Sequence, residues 1–364
     1  MHPSQTLAGT ALVFLFGGTA MGAQADAAPP STVPDPAAVE IDSGFDHIGA
    51  DVHRIEIDDR PVFYLDDGPA EGRPVVFIGG QGTSLAAFQL SEFNRSLRLE
   101  LGLRMISVER NGFGESPFDP ELGYSDYTDE VLGVLDHLGV DEFAIVAISG
   151  GGAYAAQLAA AVPDRVLSLH AAAAVSSTLP TRDAPDCDTS LAEMKEEVSR
   201  YTHHPKDWWG VPGSPVQAIP GWQAAAYGDA TRAFYVNGQM GDPSALAAEY
   251  RRPCTDEAVV DAERITAPTY LYWGEEDTTV PVKVMEHWKE ALPNVARATV
   301  YPGQGHTVQY RHWDQVLTDI AGLGDHRVVC RDGETLLASR EELGEDAFLG
   351  NCAWQGSDSD RAKQ

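Results

Sequence analysis

The stretch Phe143-Ala144-Ile145-Val146-Ala147-Ile148-Ser149-Gly150-Gly151-Gly152-Ala153-Tyr154 constrains the fold more than any other part of the chain. An apolar, β-branched run of strand length ends at one serine, and small residues then carry the chain on as a helix. Such halves join only through a tight strand-to-helix turn. Ala147 and Gly151, two residues to either side of Ser149, lack bulk, so strand and helix can close around a strained serine backbone.

The flanking sequence repeats the strand-helix theme. Strands are predicted at His53 to Ile57, Val62 to Leu65, Val75 to Ile78, Met105 to Glu109, Phe143 to Ile148 and Val166 to Ala172, with helices at Leu85 to Leu99, Asp126 to Leu138 and Gly151 to Ala161. After an irregular block, Thr269 to Trp273 and Ala298 to Tyr301 read as strands, and Val284 to Ala291 and Trp313 to Leu323 as helices. Strands alternating with helices specify an α/β fold, a mainly parallel sheet with helices on both faces. The core then falls into a first part at 46–177 and a second at 266–325, separated by an insertion at 178–265 rich in Pro, Gly, Trp and Tyr with only short helical pieces. Residues 326–364 form a C-terminal extension, where Val328 to Cys330 and Thr335 to Ala338 flank the turn Arg331-Asp332-Gly333 as a hairpin.

Composition narrows the class of partner. At 43% hydrophobic and 22% charged, the 364 residues are those of a folded protein and exclude a disordered or multi-span membrane chain. Against 25 Lys and Arg stand 55 Asp and Glu, a formal charge of -30, and that surface repels nucleic acid and anionic membranes. Residues 1–25 contain no Asp, Glu, Lys or Arg and end in Ala23-Gln24-Ala25, which reads as a signal peptide cleaved before Asp26, followed by a linker over 26–45. A secreted or extracytoplasmic location is therefore expected. The four cysteines suit that compartment. Four cysteines allow three pairings, which sequence alone leaves open; the preferred one keeps each bond within a segment, Cys187 with Cys254 and Cys330 with Cys352, and no C-x-x-C spacing points to zinc.

A serine at the tip of a strand-to-helix turn is placed to act as a nucleophile, and here the chain resembles the α/β-hydrolase superfamily across residues 53–323. Its A-x-S-x-G departs from the family's G-x-S-x-G by one methyl group at Ala147. The resemblance implies a capped serine hydrolase of esterase type, with an acid after a late strand and a histidine beyond the next one. Asp277 in Trp273-Gly274-Glu275-Glu276-Asp277 and His306 in Gly303-Gln304-Gly305-His306 fill those positions. Ser149, Asp277 and His306 are the expected catalytic residues: imidazole takes the serine proton, and a carboxylate holds the imidazole. The resemblance places the oxyanion donors at the N–H groups of Gly150 and of Gly80, the latter in Ile78-Gly79-Gly80-Gln81-Gly82, with Gln81 the second choice. Ile78 stands where the family carries histidine. The Glu109-Arg110-Asn111-Gly112-Phe113-Gly114-Glu115-Ser116 segment matches a family turn and reads as structural. The insertion corresponds to the family's helical cap; its Tyr201, Trp208, Trp209, Trp222, Tyr227, Phe234 and Tyr235 are candidates for a small cap core and an apolar pocket.

Competing readings are weaker. Gly150-Gly151-Gly152-Ala153-Tyr154-Ala155 fits a dinucleotide fingerprint formally, but it does not open its domain, and Val166 to Val175 brings no acid at the next strand end. His170 reads as a satisfied core residue, and Glu275 and Glu276 as solvated neighbours of Asp277. The expected activity is hydrolysis of small or medium carboxylic esters bearing an apolar group, through an acyl-enzyme, without metal or organic cofactor. A proline-releasing aminopeptidase, another amide, lactone or carbon-carbon hydrolase, and a non-catalytic binding protein of the same fold are the alternatives.

Overall fold

The computed structural model describes residues 50–176, 187–203, 242–254, 260–343, 348–350 and 352. The expected signal peptide and linker, and most of the aromatic residues expected in a cap, lie outside the described residues. Eleven strands are described: β1 (Val52–Ile57), β2 (Arg60–Asp67), β3 (Arg73–Ile78), β4 (Leu103–Val108), β5 (Phe143–Ile148), β6 (Val166–Ala172), β7 (Thr269–Gly274), β8 (Val295–Tyr301), β9 (His326–Arg331), β10 (Glu334–Ser339) and β11 (Phe348–Leu349). The first eight form one sheet in the order β1-β2-β4-β3-β5-β6-β7-β8. β1 and β2 pair antiparallel, β2 joins β4 antiparallel, and from β4 to β8 every neighbour is parallel. Strand order reverses around β3, whose neighbours are β4 and β5. Open α/β sheets place ligands beyond the carboxyl ends of their strands at such a reversal.

Eight α-helices are described: α1 (Arg95–Glu100), α2 (Tyr124–His137), α3 (Gly151–Ala161), α4 (Leu191–His203), α5 (Ser244–Arg251), α6 (Val282–Ala291), α7 (Val308–Arg311) and α8 (Trp313–Ile320). The period-two alternation of β5 sorts its side chains onto both faces of the sheet. Phe143, Ile145 and Ala147 join a cluster with Val131, Val134, Leu158, Trp273 and Trp288. Ala144, Val146 and Ile148 join the opposite one, with Phe77, Phe88, Trp313 and Leu317. All six β5 residues are buried, as a central parallel strand requires.

Three expectations are corrected in detail. Leu85 to Leu99 is not one helix but a 3-10 run, Leu85–Asn94, followed by the short α1. The C-terminal hairpin, β9 with β10, is part of a three-stranded sheet, because Phe348–Leu349 pairs with the free side of β9 at Cys330 and Val329. A two-residue strand carries too little pattern to be read from sequence. The insertion holds a longer helix than expected: α4 packs on α5 through Met194, Val198, Leu246 and Ala247. Both disulfides, Cys187–Cys254 and Cys330–Cys352, join the expected partners.

Candidate active site

Ser149 occupies the turn between β5 and α3 with φ +51°. That left-handed conformation is unfavourable for an L-residue with a side chain and persists only where the surroundings impose it. They do so here: the Ser149 N–H donates to Ala172 O (3.3 Å), and its carbonyl accepts from Gly152 N (3.2 Å) and Val175 N (2.8 Å). The glycines that follow are demanded by crowding. A Cβ on Gly151 would lie 2.5 Å from the carbonyl oxygens of Ile78 and Gly79, and one on Gly152 would lie 2.1 Å from Val175 O.

Asp277 follows β7 and His306 follows β8, so all three side chains lie beyond the carboxyl ends of parallel strands. His306 Nδ1 is 2.8 Å from Asp277 Oδ2, and its Nε2 is 3.0 Å from Ser149 Oγ. A carboxylate only accepts, so Nδ1 carries the proton and Nε2 of the neutral ring is left to accept from the Ser149 hydroxyl. The other oxygen of Asp277 accepts from Thr279 N (2.8 Å) and Val280 N (2.9 Å), and both Asp277 and His306 are buried. Glu275 is turned elsewhere, its Oε2 accepting from Gly303 N at 3.0 Å.

The β3 loop lies against the serine. A Cβ on Gly80 would sit 3.3 Å from Ser149 Cβ and 3.8 Å from its Oγ. Gln81 faces the next residue of the turn, since a Cβ on Gly150 would sit 2.8 Å from the Gln81 nitrogen. Among the described residues, no hydrogen bond engages the N–H of Gly80, Gln81 or Gly150. The structure therefore brings both expected donors, and Gln81 with them, next to Ser149.

The loop's support comes from Arg110, which sequence reading had assigned only to a turn. Its Nη1 donates to Gly79 O (2.8 Å), and its Nη2 donates to Gly80 O (2.8 Å) and Thr83 O (2.9 Å). Arg110 is buried beside Glu249 of α5, with Nε 2.7 Å from Glu249 Oε1. Glu249 Oε2 accepts from Gly82 N at 2.8 Å, and Tyr154 OH donates to Oε1 at 3.3 Å. Neighbouring Glu109 accepts from Leu85 N (2.8 Å), and burial pushes its carboxyl up to about 8. Glu249 sits in the insertion with no motif around it. The one sequence signal for Arg110 was the apolar Ile78 in the family's histidine position, which left the loop carbonyls in need of another donor.

Two of the other histidines, His170 and His312, serve the core. His170 bonds Tyr272 OH (3.0 Å) and Ser168 Oγ (2.9 Å), and burial lowers its pKa to about 3. His312 stacks on Tyr301 and lies 2.9 Å from Gln304 Oε1. Among the described residues, no group of three or more His, Cys, Asp or Glu could hold a metal ion, and no helix is long and apolar enough to cross a membrane.

Comparison with known proteins agrees with this architecture. The model of the alpha/beta hydrolase fold matches residues 73–312. A non-heme chloroperoxidase of Streptomyces lividans is 26% identical over 278 residues, 72% of this chain and 95% of that protein. A Variovorax paradoxus protein named for carbamate hydrolysis is 34% identical over 111 residues, 30% of this chain and only 41% of its own length. Among solved structures, epoxide hydrolase A from Mycobacterium thermoresistibile superposes with a TM-score of 0.59 at 16% identity, covering 76% of this chain and 98% of that one, a likeness of fold.

Proposed function

Because the chain belongs to the alpha/beta hydrolase family, we propose that it is a serine hydrolase that cleaves carboxylic esters of small or medium size through an acyl-enzyme on Ser149. The observation that carries this reading is the continuous chain from Ser149 Oγ through His306 to Asp277, with links of 3.0 and 2.8 Å. As Ser149 Oγ attacks the ester carbonyl, its proton passes to His306 Nε2, and Asp277 stabilises the imidazolium. Negative charge gathers on the former carbonyl oxygen, next to the amides of Gly150 and Gly80. Removing one such donor costs about 3 to 4 kcal/mol of barrier. Collapse expels the alcohol, which takes the proton from His306. Water, deprotonated by the same ring, then releases the acid. No step calls on a metal or an organic cofactor.

The apolar and aromatic composition of the insertion suits an acyl or alcohol group without charge. The uncharged first 25 residues and two disulfides favour work outside the cytosol. Ser149→Ala tests the reading. It should abolish turnover of 4-nitrophenyl butyrate and labelling by a fluorophosphonate probe while the circular dichroism spectrum is kept. Retention of most activity would remove Ser149 from the reaction. A panel of graded esters, lactones and arylamides should show esters turned over first; a prolyl arylamide preferred over every ester would favour the aminopeptidase alternative.

A further inference from the structure

We propose that Arg110 and Glu249 are positioning residues of the oxyanion site: the guanidinium aims the Gly80 and Gln81 amides toward Ser149, and the insertion carboxylate fixes the guanidinium. The kinetic consequence rests on the acyl-enzyme reading. The loop geometry does not.

The argument starts from the planar trans peptide, in which the carbonyl of one residue and the N–H of the next point in opposite directions. Arg110 holds Gly79 O at 2.8 Å, so the Gly80 N–H points away from the guanidinium; it holds Gly80 O at 2.8 Å, so the Gln81 N–H does too. Both residues lie against the serine turn, Gly80 beside Ser149 and Gln81 beside Gly150. One side chain thereby bears on two amides that could meet a developing oxyanion, alone at Gly79 O and together with Thr83 Oγ1 (2.7 Å) and Thr83 N (3.3 Å) at Gly80 O. It also holds Thr83 O at 2.9 Å, so both ends of the loop share one anchor. A lysine ammonium cannot replace a planar fork that reaches three carbonyls at once.

The guanidinium is itself confined. It lies over the rings of Phe113 and Tyr154, with Glu249 Oε1 at 2.7 Å from Nε. Glu249 also takes the Gly82 N–H at 2.8 Å, gripping the loop directly and through Arg110. Its helix, α5, belongs to the insertion, not the sheet. The insertion therefore contributes to the reacting centre through the loop as well as by any substrate contact.

The test uses the full oxidised chain with Arg110→Lys and Glu249→Gln, the latter isosteric so that the Gly82 N–H keeps an acceptor. Arg110→Lys is expected to lower kcat on 4-nitrophenyl butyrate by about 10²-fold, the scale of an oxyanion donor out of place. Glu249→Gln should lower it by about 10-fold, with KM within threefold of wild type in both. Amide hydrogen exchange over residues 79–83 should accelerate in parallel, a readout that needs no turnover. Folded variants with kcat within threefold of wild type, or with unchanged exchange over the loop, overturn the proposal. Wild-type protein inert toward esters and toward a fluorophosphonate, combined with faster loop exchange in Arg110→Lys, strikes the ester reading and supports the clamp.

Discussion

Gly150→Ala adds one methyl group and keeps the N–H of residue 150, so it tests whether the β3 loop must stand where it does. The new Cβ would lie 2.7 Å from Gln81 Cβ, 2.8 Å from its nitrogen and 3.0 Å from its Cα. Carbon atoms rest at about 3.5 to 4.0 Å, so the Gln81 segment has to withdraw by roughly 0.8 Å or more. Backbone atoms are among those struck, and no rotamer change relieves them. A displacement of about 1 Å at a reacting centre costs on the order of 10²-fold in rate, or about 2.7 kcal/mol of barrier. Overpacking should cost about 1 to 3 kcal/mol of stability, and because Gly150 is the N-cap of α3, alanine brings no gain in helix propensity to offset it. The assay is kcat on 4-nitrophenyl butyrate at saturation, beside thermal melting followed by circular dichroism. A folded Gly150→Ala enzyme with kcat within threefold of wild type would refute the claim that the approach of Gln81 to the serine turn matters to the chemistry.

Two further outcomes follow from single carboxylates. Asp277→Asn keeps an acceptor for Thr279 and Val280 but can present an amide N–H to His306 Nδ1, favouring the wrong tautomer; kcat should fall by about 10⁴-fold, and a loss under tenfold would contradict the assigned role. Burial lifts the Asp314 carboxyl from its ordinary 3.8 to about 7, so the folded state binds this proton more tightly than the unfolded state does. Its stabilising effect is therefore complete below about pH 4 and disappears as pH rises to about 7. Asp314→Asn should accordingly raise the melting temperature at pH 8, by up to about 4 kcal/mol of stability, and leave it nearly unchanged at pH 4; equal shifts at both pH values would show that the charge is not responsible.

The parts legible in sequence were those with strong local physics. β5, α3 and β6 appear with the bounds expected, because continuous apolar strands and an alanine-rich helix leave few alternatives. Ser149, Asp277 and His306 were legible because each sits at a strand end marked by glycine, and they are brought within hydrogen-bonding distance. Arg110 and Glu249 were not. A buried ion pair joining residues 139 positions apart has no periodicity, and a lone arginine in a glycine-rich turn looks like any solvated one. The 3-10 run at Leu85–Asn94 was hidden for a related reason: Glu109, distant in sequence, holds the Leu85 amide at its start.

The Cys187–Cys254 bond closes a ring whose two cysteines lie 67 positions apart, and the helix bearing Glu249 ends three residues before the second of them. Where the cell keeps thiols reduced, that ring opens and the helix depends on noncovalent packing alone. Recombinant batches from different hosts are thus different samples, and their rate constants become comparable only after free sulfhydryls have been counted.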